Sequence, residues 1–205
     1  MVKTIFVCSA GILRSGAAKA VVDYEARQRG IDYLVTENAS LNAANILANN
    51  SPLERQLKIL EAGLHFGLVR YNIWKRVEDI VGLGTKQELT DEIRALYADV
   101  RPLFHGLQVA HRNQALKEVG IECNLPPYTP FNAGGNYNFV IVMAEKDVKK
   151  AQAMVRQGTA TITSYGALIN QNDPKDDLLS GLEGAREVVQ YFMSTRSRAV
   201  EALLR

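Results

Sequence analysis

The chain has 205 residues, 47% of them hydrophobic, and a formal net charge of +2 at pH 7. That suffices for one well-packed domain, or for one domain carrying a large insertion, and the absence of any basic run excludes nucleic acid as the main partner. No apolar run approaches the roughly 20 residues a membrane span needs, and the only two cysteines, Cys8 and Cys123, exclude a disulfide framework.

The first element, over residues 4–7, is an apolar, β-branched run of a length that suits a central parallel strand. It breaks at small residues, and a helix follows over 17–24. Cys8 therefore falls where a strand ends, and Arg14 and Ser15 fall where a helix begins. The apolar start is too short for a signal peptide and runs straight into this loop, so none is expected. Gly30 ends the first helix, and residues 31–36 read as a second strand, making a right-handed crossover unit of a parallel sheet.

From residue 42 to about 110 strand signals vanish. Ser51-Pro52 with Glu54 marks a helix start, and Leu53, Leu57, Leu60, Leu64 and Leu68 follow at helical spacing. Tyr71, Trp74, Val77 and Ile80 extend this pattern to a break at Gly82-Leu83-Gly84. Thr90 or Thr85 is read as the cap of another helix, with Ile93, Leu96, Tyr97 and Val100 on one face until Pro102. A helix over 111–119 stops at Gly120, and a long loop rich in Pro and Gly leads to a third strand over 139–143. A short helix over 147–155, a fourth strand over 160–163, a polar loop with Asp173-Pro174 and a long helix over 182–204 complete the chain. The inner face of that last helix is expected to be Val188, Val189, Phe192, Val200 and Leu203. The expected fold class is α/β, a four-stranded parallel sheet with helices on both faces, built from 1–41 and 111–205, plus a helical insertion over 42–110.

The loop between the first strand and helix carries the chemistry. The free N–H groups of a tight turn and of a helix N-terminus converge on one point, where the helix dipole adds positive charge. A thiol at that point is pushed towards its attacking thiolate form. Arg14 offers a planar fork for two phosphate oxygens, and the Ser15 hydroxyl can donate to the thiolate. Ser9, Ala10, Gly11, Ile12, Leu13, Arg14 and Ser15 thus form a candidate cradle for a tetrahedral oxyanion, with Cys8 as nucleophile. Against this stands the bland alternative of a small buried Cys at a strand end. By chance this spacing arises in on the order of one chain in a hundred.

Cys8, Ile12, Arg14 and Ser15 resemble the loop of the low-molecular-weight protein tyrosine phosphatase family, Cys-x-Gly-Asn-x-Cys-Arg-Ser-Pro. Ala10 stands for a Gly, Gly11 for the Asn, Leu13 for the second Cys and Gly16 for the Pro. The stretch from Ala115 to Ile121 resembles the family's second helix, and Asp173-Pro174 occupies the place of its Asp-Pro. The resemblance spans about 135 residues, and 42–110 has no counterpart. It implies a cysteine-dependent phosphomonoester hydrolase with a phosphocysteine intermediate, using Cys8, Arg14 and Asp173, with no metal and no cofactor. Asp173 would be the general acid, with Asp176 and Asp177 as fallbacks. Where family members place aromatic residues after the Asp-Pro, this chain has Lys175, Asp176 and Asp177. The substrate is expected to be a phosphorylated protein or a small phosphomonoester, in a reducing cytoplasm, with neither nucleic acid nor membrane as partner. Two other readings stay open: a phosphocysteine carrier, and a phosphate-binding module without catalysis. The insertion is expected either to cap the site, with Tyr71, Trp74 or His65 touching substrate, or to form a homodimer interface. His65, His105 and His111 lack metal-ligand spacing, and Cys123 is expected to be structural.

Overall fold

The computed structural model describes the whole chain except residues 84–85, 127–128, 156–159 and 176–178, together with the side chains of 80, 82–83 and 86–90. The chain divides into two compact units, Met1–Ala43 with Val109–Arg205, and Ala44–Gln108.

The first unit is α/β. Strands β1 (Val2–Cys8), β2 (Leu34–Ser40), β3 (Phe139–Val142) and β4 (Thr161–Ser164) form one sheet in the order β2-β1-β3-β4. Every pairing is parallel. Because side chains alternate along a strand, β1 and β3 feed two apolar layers. Phe6, Cys8, Ile141 and Met143 join α1 (Arg14–Gln28) and α8 (Gly181–Leu203), whereas Ile5, Val7, Val140 and Val142 join Ala151 of α6 (Val148–Met154). Small residues let α1 lie close: Ala17, Ala18, Val21 and Val22 have no exposed surface. The expected inner face of the last helix is buried as a set, Val188, Val189, Phe192, Val200 and Leu203. Each fully buried side chain of this size contributes about 1.5–3 kcal/mol.

Two elements depart from expectation. The second strand starts at Leu34 instead of residue 31, and it runs on to Ser40. Ile31 is used otherwise: its N–H donates to the Ala26 carbonyl at 2.9 Å and that of Gly30 to Arg27 at 3.1 Å, with Gly30 at φ +67°. This closes α1 with a left-handed cap, so the apolar Ile31 seals a helix end. The polar run from Glu37 to Ser40, which reads poorly as strand, pairs with β1 as far as Cys8 opposite Ser40. A short helix, α7 (Tyr165–Ile169), follows β4 directly and was not expected; Ser164 caps it by accepting from Ala167 N–H.

The second unit is helical. It comprises α3 (Leu53–His65), α4 (Tyr71–Leu83) and much of α5 (Lys86–Glu118), while α2 (Ala43–Leu47) straddles its start. Leu60, Val69, Val77, Ile93 and Val100 are its buried cluster, lined by Leu57, Leu64, Leu68, Trp74 and Leu96. Leu53, first of the expected stripe, is instead exposed. The pattern from 53 to 80 is two helices, broken at Gly67, whose φ of +72° lets Leu68 N–H reach the Gly63 carbonyl at 2.7 Å. Pro102 does not end a helix; it lies inside α5. A proline there forfeits a hydrogen bond and costs about 3 kcal/mol. Ile93, Tyr97, Val100 and Phe104, all buried on one side of that stretch, outweigh it. Thr90 lies within α5 rather than at its start, and Thr85 falls outside the described residues. Among the described residues, no helix is long and apolar enough to cross a membrane.

Candidate active site

Cys8 ends β1 and is buried; six residues later Arg14 opens α1, also buried, with Ser15 fully enclosed. Between them the chain turns back on the sulfur. Gly11 N–H donates to Cys8 Sγ at 3.2 Å, and the Ser15 hydroxyl lies 3.2 Å from the same sulfur. Gly11 is required twice over: its φ is +69°, and a Cβ there would stand 3.0 Å from both Ala39 C and Ser40 N.

The carbonyls of this loop are tied outward. Ser40 Oγ donates to the Ser9 carbonyl at 2.7 Å, Asn38 Nδ2 to Gly11 at 3.2 Å, and Arg112 Nη1 to Ile12 at 2.8 Å. In a planar trans peptide the C=O and the next N–H point in opposite directions. Holding those three carbonyls turns the N–H groups of Ala10, Ile12 and Leu13 away from these partners. Asn42 braces the same loop, donating from Nδ2 to Ser9 Oγ at 2.7 Å, while its own Oδ1 accepts from Lys150. Arg14 is anchored across the sheet, with Nη1 donating to the Met143 carbonyl at 3.0 Å, just past β3.

Asp173 lies at the same carboxyl edge. Its Oδ2 accepts from Glu145 N–H at 2.6 Å, two residues beyond the Met143 carbonyl that anchors Arg14, and its Oδ1 from Gly166 N–H at 2.8 Å. Gly166 is needed here, because a Cβ would meet Gln171 O at 2.5 Å and Asp173 N at 2.7 Å. Each carboxylate oxygen thus accepts one backbone hydrogen bond, and together they fix the group's orientation. Pro174 is buried and Lys175 exposed; Asp176 and Asp177 fall outside the described residues. Tyr191 of α8 donates to the Asn172 carbonyl at 2.5 Å. Burial, and then the charge of Asp173, push its phenol up to about 12.

Of the loop residues Ser9, Ala10, Gly11, Ile12, Leu13, Arg14 and Ser15, Gly11 and Ser15 reach the Cys8 sulfur, and Asp173 stands by the β3 and β4 ends. Asn38, Ser40, Asn42, Arg112 and Tyr191 were not singled out from the sequence. The available signal was Asn38 and Ser40, polar residues two apart at the end of a strand beside a nucleophile loop, which share one face. Among the described residues, no three His, Cys, Asp or Glu side chains are grouped to hold a metal ion. Cys123 is a free, half-buried thiol.

No family model and no curated protein sequence matches the chain. Solved structures do. The arginine phosphatase YwlE carrying a phosphorylated active-site serine superposes with a TM-score of 0.61 at 12% identity, over 100% of this chain and 97% of that one. A low-molecular-weight protein tyrosine phosphatase from Bacillus subtilis gives 0.60 at 11% identity, over 99% and 97%. The Drosophila arginine phosphatase gives 0.59 at 14%, over 98% and 96%. The fold is that of the low-molecular-weight protein tyrosine phosphatases.

Proposed function

We propose that this protein is a cysteine-dependent phosphomonoester hydrolase, on one observation above all: a buried thiol at a strand end that accepts a hydrogen bond from the Gly11 N–H of the following loop and lies 3.2 Å from the Ser15 hydroxyl, with buried Arg14 opening the next helix. Cys8 thiolate attacks phosphorus in line. The S–P bond forms, the ester P–O bond breaks, and the leaving oxygen takes a proton from the Asp173 carboxyl. Loop amides and Arg14 hold the equatorial oxygens while charge builds on them. Water then attacks the phosphocysteine, gives its proton to the Asp173 carboxylate, and releases phosphate with the Cys8 thiolate restored. Ser15, 3.2 Å from Cys8 Sγ, stabilises that thiolate as it leaves.

A phosphoprotein is the favoured substrate class. Since two of the similar structures are arginine phosphatases, phosphotyrosine and phosphoarginine peptides are both to be assayed beside p-nitrophenyl phosphate. The wild type should turn over p-nitrophenyl phosphate. Cys8→Ser should abolish turnover while inorganic phosphate still binds. Near-normal activity in that variant would overturn the nucleophile, and phosphate binding without wild-type turnover would favour the carrier or the non-catalytic module. Asp173→Asn should slow an alkyl phosphate far more than an aryl one, because only a poor leaving group needs the proton. Equal losses on both would leave Asp173 a purely structural clamp.

A further inference from the structure

Arg112 lies near the end of α5 and has no exposed surface. Its Nη1 donates to the Ile12 carbonyl at 2.8 Å and Nη2 to the Leu125 carbonyl at 3.0 Å. Nε and Nη2 share Asn113 Oδ1 at 3.0 and 2.9 Å. All these partners are neutral, and no carboxylate pairs with Arg112 among the described residues. A guanidinium removed from water without an acid beside it carries a large solvation cost. Burial accordingly pushes it below its ordinary value, and the charges that offset this are those of Cys123 and Cys8. The backbone has made room for it. A Cβ on Gly16 would stand 2.6 Å from Arg112 Nη1, 3.2 Å from Cδ and 3.3 Å from Cζ.

We infer that Arg112 is a positioning residue for the loop: it keeps the Ile12–Leu13 peptide turned with its N–H inward, and it sets a fixed buried cation behind the anion site. This rests on the phosphatase reading above. The loop's own groups make the contacts to phosphate, and Arg112 acts through them. Its hydrogen-bond partners are all neutral and the charges that offset its burial are those of Cys123 and Cys8, so a phosphate arriving in the cradle adds further compensation, and the effect of Arg112 appears chiefly in the phosphate-bound state.

The test is thermal unfolding of the full chain with and without inorganic phosphate, beside turnover of p-nitrophenyl phosphate. In Arg112→Met, of similar reach but without charge or donors, the phosphate-free protein should melt close to the wild type. Phosphate affinity and turnover should both fall roughly ten- to a hundredfold, the worth of a hydrogen bond to a charged group. Arg112→Lys keeps the charge without the fork and should recover part of the loss. A residue serving packing alone would lower the melting temperature equally with and without phosphate. Should Arg112→Met not fold, Gly16→Ala displaces the guanidinium while leaving it in the chain, and the same loss of phosphate affinity is expected. A wild type that binds phosphate and turns over, with variants that match it in both, overturns the inference. A wild type that does neither overturns the phosphatase reading itself, and this inference with it.

Discussion

The two units of this chain are stabilised in different ways. The α/β unit combines two apolar layers with a network of polar ties concentrated at one edge of its sheet, where Asn38, Ser40, Asn42 and Arg112 brace a single loop. The helical unit packs an apolar cluster around Leu60, Val77, Ile93 and Val100, with Ile46, Ile59, Tyr97 and Phe104 also buried. Each unit also buries side-chain oxygens that find no partner among the described residues: Asn49 Oδ1 and Gln56 Oε1 in the helical unit, Thr4 Oγ1 in the α/β unit. A fixed constellation for chemistry needs redundant ties, and a helical packing does not. The α/β unit should therefore be the last to open and the one whose single residues control activity.

The largest effect expected on that contrast comes from Arg14→Lys. An ammonium cannot reproduce the planar fork, so turnover should fall by about a thousandfold or more. Amide hydrogen exchange in the helical unit should not change, and exchange that accelerates there would mean the units do not differ as described. Next is Leu60→Ala, which removes a fully buried side chain from the helical cluster. It should cost that unit about 2–5 kcal/mol, seen as early exchange over 53–100, while the strand amides stay protected. Simultaneous loss of protection in β1 would show one cooperative block.

A smaller effect separates the units by acidity. His105 is buried within the helical unit, and that burial, with the charges of Arg55 and Arg101, lowers its value from 6.5 to about 3. The unfolded chain therefore binds a proton before the folded one does. The stabilisation is complete above about 6.5 and falls as pH drops towards about 3. The slope is about 1.4 kcal/mol per pH unit, or about 2 kcal/mol by pH 5. In the α/β unit, burial works to raise the Glu25 carboxyl, but hydrogen bonds from Ser197, Arg29 and Arg196 outweigh it and hold it below its ordinary 4.5. That stabilisation is lost only in more acid solution. Between pH 6.5 and 4.5 the helical unit should weaken through His105, and the α/β unit through His111, whose burial also lowers its value from 6.5. His105→Gln, which does not titrate, should flatten this limb in melts followed across pH; an unaltered limb would assign it to another group.

How much of this was legible beforehand follows the same division. The strand, loop and helix around Cys8 stand out because an apolar run, small residues and a helical pattern follow in a mechanically meaningful order. β2 was misplaced because Ile31, apolar and β-branched, caps a helix, while Asn38 and Ser40, poor strand formers, sit in the strand to hold the loop. Arg112 was invisible: a charged residue in a helical pattern reads as solvated, and only the fold brings it beneath Ile12. In the helical unit the periodicity located the helices, but local breakers misled. A break at Gly67 was missed, although α4 ends at Leu83 within the expected Gly82-Leu83-Gly84 break, and Pro102 ended no helix.

The fit between Gly16 and Arg112 also orders the substitutions this chain can accept. The phosphatases it resembles carry a proline at the position of Gly16. A proline there now would drive its ring into a guanidinium pinned by four hydrogen bonds. Arg112 would have to go first, at the expense of the loop it braces. The two positions are thus coupled, and a larger residue at 16 requires Arg112 to move. A library randomised at both positions should return Gly wherever it returns Arg, and larger residues at 16 only where 112 has become small.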